Sequence, residues 1–448
     1  MELRNKKTVV VGLGATGIAT SLFLKSREAQ VTVSDIRGEG ELAPSIQKLS
    51  SKGIAIETGG HRRETFLSAD LIVVSPGVPL ERPPLKAAAE KGIEIISEIE
   101  LASRHIDIPI IAVTGTNGKT TTVNLLAEIF KASGKRIFLG GNVGTPLIEY
   151  VLNQHREEYI IAEISSFQLE GIKSFKPHIS VLLNVAHDHL DRYVSYEEYI
   201  AAKMRIFMNQ NDREYAILNA DDLEVKKLSA SINASTLYFS YEKELSSGIY
   251  YKDNILHYNN GTGQARFPLA HINLKGIHNL HNVMAAAAAS KLCGCPPQKI
   301  TQAIENFKGL PHRLELLKES HKIKFFNDSK ATNVGSVVRA LEALDPPLIL
   351  IAGGKDKGGD YQPLLSLVRK KVKALILLGE AKEKMNQVFK TATSTFLVES
   401  LEEAVEKSLK QASAGDTILL SPACSSFDMF KSYEERGNVF KSLVNTLT

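Results

Sequence analysis

The chain has 448 residues, 43% of them hydrophobic and 23% charged, which is enough for about three domains of roughly 150 residues and too apolar for a largely disordered protein. Lys plus Arg number 54 against 50 for Asp plus Glu, a balance that gives no electrostatic reason to expect nucleic acid or a charged membrane as a partner. The longest apolar runs, Leu71 to Val74 and Leu348 to Ala352, fall far short of the roughly 20 residues of a membrane span.

Short β-branched runs alternate with helical patterns almost throughout, which predicts the α/β class, with parallel sheets covered by helices on both faces. Lys6 and Lys7 precede the apolar Thr8 to Leu13, but a glycine-rich loop follows instead of a cleavage-type site, so this segment reads as a first strand and not a leader. Strands are predicted near Thr8 to Val11, Val31 to Ser34, Ile54 to Glu57, Leu71 to Val74 and Ile93 to Ile96. A second block opens with Ile110 to Val113 and continues through Ile160 to Glu163 and Ile179 to Asn184. Between Tyr238 and Pro268 the turn pairs Asp253-Asn254 and Asn260-Gly261 predict hairpins added to that block, and Val283 to Leu292 restores a helix. After the break at Gly309-Leu310-Pro311, strands recur near Lys324 to Phe326, Leu348 to Ile351, Ala374 to Leu378, Thr395 to Val398 and Thr417 to Leu420. The expected domains are 1–97, 98–309 and 310–448. Cys293, Cys295 and Cys424 form neither a secreted disulfide framework nor a zinc pattern, so buried thiols in a reducing cytoplasm are expected.

Gly12-Leu13-Gly14-Ala15-Thr16-Gly17 follows a strand and precedes a helix, and Asp35 ends the next strand, where a carboxylate can accept from a sugar hydroxyl. Read alone, these residues leave open an NAD-type site, a site for another nucleotide, or merely a tight turn. The sharper signal is Thr114-Gly115-Thr116-Asn117-Gly118-Lys119-Thr120-Thr121, which reads as a phosphate loop: glycines let N–H groups face phosphate, Lys119 neutralises β/γ charge, and Thr120 offers a hydroxyl to Mg²⁺. Val113 stands where the general pattern has glycine, so the loop is a variant. Val123, Leu126, Ala127 and Phe130 give the next helix an apolar face. Glu163, and His189 within Asp188-His189-Leu190-Asp191-Arg192, are strand-end groups suited to a divalent metal, with surface or capping roles as the alternatives. Lys203 falls on the helical face of Tyr199, Ile206 and Phe207, where it either needs neutralising or snorkels to the surface.

Taken together, Thr114 to Thr121, Glu163 with Ser165-Ser166, Asp188 to Asp191, Lys203, and Gly276 with His278-Asn279 and Asn282 resemble the Mur ligase superfamily along the whole chain. Gly12 to Gly17, Ser75-Pro76-Gly77, Asn327 to Asn333 and Ser421 to Ser426 are similar to its D-glutamate-adding branch. The resemblance implies a Rossmann-like N-terminal domain binding a UDP-substrate, a central ATP-binding domain of the P-loop type with added hairpins, and a Rossmann-like C-terminal domain binding D-glutamate. It implies ATP-driven joining of D-glutamate to UDP-N-acetylmuramoyl-L-alanine through an acyl phosphate, in peptidoglycan precursor synthesis, by a cytoplasmic monomer. Two Mg²⁺ ions are implied, with Mn²⁺ able to substitute.

By the same resemblance Gly14, Ala15, Thr16, Asp35, Arg37, Gly77, Asn142 and His189 face the UDP-substrate, while Gly115, Thr116, Asn117, Gly118, Lys119, Thr120, Thr121, Asn282, Arg313 and Asp328 face ATP. Thr120, Glu163, His189 and a carbamylated Lys203 hold metal, and Lys119, His189 and Lys203 carry the chemistry. Lys330, Thr332, Lys357, Ser426 and Tyr433 fall around D-glutamate, with Lys355 competing for the place of Lys357. The alternatives are a folylpolyglutamate synthase-like ligase, a nicotinamide dehydrogenase, and a nucleotide-switch protein that does not ligate.

Overall fold

A computed structural model describes residues 1–153, 156–188, 192–356 and 358–447. Compact packing groups the chain into two units, one of Met1–Val185, Tyr193–Leu269 and Asn282–Ile304, the other of Ala186–Arg192, Ala270–His281 and Glu305–Thr448. Among the described residues, no helix is long and apolar enough to cross a membrane.

The first unit holds two sheets. β1 (Lys7–Val11), β2 (Gln30–Ser34), β3 (Ala55–Glu57), β4 (Leu71–Val74) and β5 (Glu94–Ser97) lie in the order β3-β2-β1-β4-β5, all parallel. The chain reverses its winding at β1, so the ends of β1 and β4 flank a crevice, the place where such sheets bind ligands. The turn after β1 is tight enough that a Cβ on Gly17 would strike the carbonyl of Gly12, which explains glycine there.

The second sheet comprises β6 (Ile110–Thr114), β7 (Ile137–Gly141), β8 (Tyr159–Glu163), β9 (Ile179–Leu182), β10 (Tyr215–Asn219), β11 (Ser235–Ser240), β12 (Gly248–Lys252), β13 (Ile255–Asn259) and β14 (Gln264–Pro268). Its order is β14-β13-β12-β11-β10-β9-β6-β8-β7, and the expected hairpins appear as the antiparallel pairs β12–β13 and β13–β14. β6 lies between β8 and β9, a second switch point, and all its residues are buried. The two sheets share one core, running from Phe23 and Leu24 through Ile99 and Leu101 to Leu147, Ile160 and Leu182.

In the second unit, β15 (Glu315–Ser320), β16 (Ile323–Asn327), β17 (Leu348–Gly353), β18 (Val372–Leu378), β19 (Ser394–Leu397) and β20 (Thr417–Leu420) lie in the order β15-β16-β20-β17-β18-β19, with only β15 antiparallel among these pairings. Val337, Leu341, Val368, Met385 and Phe389 pack in one core cluster, and Leu401, Val405, Phe440 and Val444 in another, so helices cover both faces of strands buried from end to end.

β7, β10 and β15 were not among the expected strands. The stretch read as one helical face through Tyr199, Lys203, Ile206 and Phe207 is α-helical only over Tyr196–Met204 and tightens to a 3₁₀ turn over Arg205–Phe207. The cysteines are free, Cys295 and Cys424 buried and Cys293 half-buried.

The helix Glu98–Ser103 locks the first sheet to the second. Glu100 accepts from the N–H groups of Lys173, Ser174 and Phe175 and from the Ser174 hydroxyl. Glu98 Oε1 accepts from Ile148 N–H at 2.7 Å, while its Oε2 is buried without a hydrogen-bond partner. Burial pushes the Glu98 carboxyl up to about 7, only partly offset by the Ile148 N–H. A carboxyl with a higher pKa folded than unfolded holds its proton more tightly in the native state. Its contribution is therefore neutral in acid and becomes a growing penalty as pH rises from 4.5 to about 7. The wild type should lose up to about 3 kcal/mol over that window that Glu98→Gln retains. Unfolding midpoints of both proteins measured from acid to alkaline buffer check this, and parallel profiles would refute it.

Candidate functional site

The phosphate loop grows out of β6 and ends in the helix Lys119–Ala132. Its amides are fixed by the segment just past β9: Thr116 N–H donates to the Asn184 carbonyl, Asn117 N–H donates to Asn184 Oδ1 at 3.0 Å, and Asn184 Nδ2 returns a bond to the Asn117 carbonyl at 2.9 Å. Gly118 caps the helix with φ 92°, and a Cβ there would run into the Asn282 side-chain amide. Asn282, expected to face ATP, is buried and lies against the loop itself.

Lys119 Nζ donates to the carbonyls of Gly115 at 2.8 Å and Thr116 at 2.9 Å. Lys203 Nζ donates to the same Gly115 carbonyl at 3.0 Å and lies 4.5 Å from the centre of the Tyr199 ring, whose hydroxyl bonds Thr116 Oγ1 at 3.1 Å. Lys203 is 2% exposed, which excludes snorkelling. Tyr199 and Asn184 serve the loop although the sequence singled out one as an apolar residue and the other only as a strand end. Their partners lie 83 and 67 residues away, beyond any local pattern.

Glu163 ends β8 directly opposite Val113 of β6, which sets its carboxylate beside the loop. It is 2% exposed. Oε1 accepts from Asn142 Nδ2 at 2.9 Å, and Oε2 is buried without a hydrogen-bond partner. Ser165 makes a capping box with Gln168, so its role in this string is to start the helix Ser166–Glu170.

The crevice at β1 and β4 is a cavity of about 420 Å³, lined by residues that include Gly14, Ala15, Thr16, Asp35, Arg37, Gly77 and Asn142, which the sequence had singled out, and by His61 and Arg82, which it had not. The helix Ala15–Ser26 points its uncapped N-terminus at this turn. Asp35 is already engaged. Oδ1 accepts from Arg37 N–H and Nε, and Oδ2 accepts from Leu13 N–H and an Arg37 terminal nitrogen. Burial would raise this carboxyl, but the Arg37 side chain and the Arg37 and Leu13 N–H groups hold it down at about 2. Asp35, expected as an acceptor for a sugar hydroxyl, pins the glycine-rich turn and Arg37.

In the second unit, the loops after β16 and β20 are stitched together. Ala423 N–H donates to the Ala331 carbonyl, Ser421 Oγ donates to Asp328 Oδ2, and Lys330 N–H reaches the His312 carbonyl. Arg436, buried in the helix Tyr433–Thr446, donates to the Ser329 hydroxyl and to the carbonyls of Ser329, Cys424 and Ser425. Burial lowers its guanidinium to about 10. Lys330 Nζ lies 3.7 Å from the centre of the Tyr433 ring, so Lys330, Thr332, Ser426 and Tyr433 lie on or against these joined loops. Burial raises Asp328 to about 7, countered in part by Ser421, Leu314 N–H and Arg313. Asp188 Oδ2 accepts from Asn333 Nδ2 in the same unit. His189, Asp191 and Lys357 lie outside the described residues.

Residues 6–97 match the family described as Mur ligase MurD-like, N-terminal domain; residues 113–290 match the Mur ligase middle domain, and 312–424 the Mur ligase glutamate ligase domain. A UDP-N-acetylmuramoylalanine--D-glutamate ligase of Geotalea uraniireducens is 50% identical over 447 residues, covering 100% of this chain and 99% of the relative. One of the same name from Geobacter metallireducens is 47% identical over 447 residues, again covering 100% of this chain and 99% of the relative. A pseudomurein peptide ligase type C from Methanothermus fervidus superposes with a TM-score of 0.63 at 22% identity, covering 99% of this chain and 100% of that one, a likeness of fold.

Gly118→Ala should be destabilised by about 1–2 kcal/mol, because the left-handed φ and the Asn282 amide both oppose a side chain. Its affinity for adenine nucleotides should fall at least tenfold as the loop shifts. Denaturant melts and nucleotide titrations check both, and wild-type values in each would refute the packing of Asn282 on Gly118.

Proposed function

The chain belongs to the Mur ligase family, and from that premise we propose that it adds D-glutamate to UDP-N-acetylmuramoyl-L-alanine at the expense of ATP, in building peptidoglycan precursor. The observation that carries this reading is identity of about half, sustained from end to end, to relatives bearing that name. Against the nicotinamide alternative stands that same end-to-end identity to D-glutamate ligases, which gives a hydride cofactor no task. A folylpolyglutamate synthase-like ligase would leave the cavity of the first sheet without a task.

We assign residues 1–97 to the UDP-substrate, 98–309 to ATP and 310–448 to D-glutamate, in a monomer working in the cytoplasm. The substrate's alanine carboxylate attacks the γ-phosphorus of ATP, giving an acyl phosphate and ADP. The amine of D-glutamate then attacks the activated carbonyl, and phosphate leaves as the amide forms. The first step brings two anions together, so the protein's task is to offset charge at the loop. Lys119 and the N–H groups that open its helix face the β/γ-phosphates, with Asn282, Arg313 and Asp328 completing the nucleotide contacts. Lys330, Thr332, Lys357, Ser426 and Tyr433 hold D-glutamate, the Lys330 ammonium being suited to a carboxylate. His189 orients the substrate carbonyl.

The buried, unpartnered Oε2 of Glu163 beside the phosphate loop fits a hard divalent cation. Thr120, Glu163, His189 and a carbamate on Lys203 would hold Mg²⁺, or Mn²⁺ in its place, which when bound neutralises phosphate charge. A carbamate on Lys203 replaces a buried cation close to Lys119 with an anionic oxygen ligand.

Phosphate release should require UDP-N-acetylmuramoyl-L-alanine, D-glutamate and ATP together, and release with ATP and either substrate alone would overturn the assignment. Lys119→Ala should raise the barrier by at least about 3 kcal/mol while leaving UDP-substrate affinity unchanged, measured by turnover and calorimetry. Lys203→Ala should be inactive yet partly restored by acetate, which can occupy the vacated carboxylate position. Full activity without acetate would sink the carbamate.

A further inference from the structure

The cavity of the first sheet is lined by four side chains that can carry charge, Asp35, Arg37, His61 and Arg82. Asp35 and Arg37 cancel each other through a bidentate pair that leaves Asp35 about 4% exposed. His61 is biased toward its neutral form, first by burial and then by the charge of Arg82, with Asp35 and Glu57 acting the other way. Its Nδ1 is held by Ser34 Oγ at 2.8 Å. Glu57, the carboxylate on the adjoining strand, lies outside the lining; its Oε1 accepts from Thr65 and its Oε2 is buried without a hydrogen-bond partner. Arg82 is therefore the surplus cation among the described lining residues, and its Nε is buried without a hydrogen-bond partner. A half-buried guanidinium beside an imidazole, with a nitrogen unsatisfied, is costly unless an anion completes it.

Its mounting is rigid. Arg82 immediately precedes the helix Pro83–Glu90, whose first two residues are prolines, and its carbonyl accepts from Lys86 N–H. The glycine-rich turn and the open N-terminus of the helix Ala15–Ser26 line the same cavity. An anion held there meets oriented N–H groups from that helix and a guanidinium from Arg82.

We propose that Arg82 is a specificity-determining contact for the diphosphate of the UDP-substrate, supplying the charge that the neutralised Asp35–Arg37 pair does not. This rests on the UDP reading of the cavity. The guanidinium reads phosphate, and the uridine is left to the rest of the lining.

The test compares wild-type protein, Arg82→Gln and Arg82→Lys with UDP by calorimetry and with uridine by saturation-transfer NMR, after melting curves have confirmed that each variant is folded. UDP affinity should fall at least tenfold in Arg82→Gln and recover in part in Arg82→Lys, and the wild-type affinity should weaken more steeply with added salt than that of Arg82→Gln. Uridine binding should stay within twofold in all three. UDP binding to Arg82→Gln as tight as to wild type overturns the proposal, as does an equal loss of UDP and uridine, which marks a role in shape alone. If Arg82→Gln does not fold, Arg82→Met takes its place and is read against the same outcomes. Failure of the wild type to bind either compound overturns the UDP reading itself, and the proposal with it.

Discussion

Lys119 Nζ and Lys203 Nζ donate to one carbonyl oxygen, that of Gly115, at 2.8 and 3.0 Å. Ammonium groups that share an acceptor lie within about 6 Å of each other, a repulsion of about 3 kcal/mol at an effective dielectric near 20. The surrounding structure must hold that arrangement against the repulsion. β6 is buried between β8 and β9, Asn184 just past β9 clamps the loop, and the Tyr199 ring offers its face to one cation while its hydroxyl ties down Thr116. The carbamate proposed for Lys203 removes one of the two cations, and an anionic phosphate placed at the loop offsets the charge of the other, Lys119.

How much could be read beforehand depended on how local each cause was. The phosphate loop was legible because glycines, lysine and threonine must be consecutive to wrap a phosphate, and the buried parallel strands because continuous apolar runs announce them. β15 was not, because its sequence Glu-Leu-Leu-Lys-Glu-Ser carries the polarity of a sheet edge and no clean alternation. β7 ends in a glycine pair that reads as a turn, and the close approach of Gly141 to the Glu163 carbonyl is visible only once the strands pair. The burial of Lys203 was likewise undecidable from its helix, since its carbonyl partner lies 88 residues earlier. Asp35 was singled out, but its pairing with Arg37 and Leu13 was not. A residue's type and place do not reveal that the arginine two positions on folds back to occupy it.

The second unit solves a different problem with a buried charge. Arg436 is 2% exposed and its guanidinium is shared among a hydroxyl and three carbonyls. Neutral acceptors repay desolvation less fully than a carboxylate would, which is consistent with the lowering of its pKa. In return one planar group fixes the backbone of two loops at once, and side chains such as Lys330 and Ser426 inherit that rigidity.

Asn142 belongs to two places. It lines the cavity of the first sheet, and its Nδ2 holds Glu163 Oε1 at 2.9 Å beside the phosphate loop. A ligand that engages this amide in the cavity acts on the orientation of Glu163, and anything bound at Glu163 acts back on the amide. Thermodynamic reciprocity makes the two effects equal: whatever factor one occupant imposes on the other's affinity is returned in full. One hydrogen bond about three ångströms long therefore joins the two compartments of this unit, and any coupling that passes through it, of either sign, is felt equally at both ends.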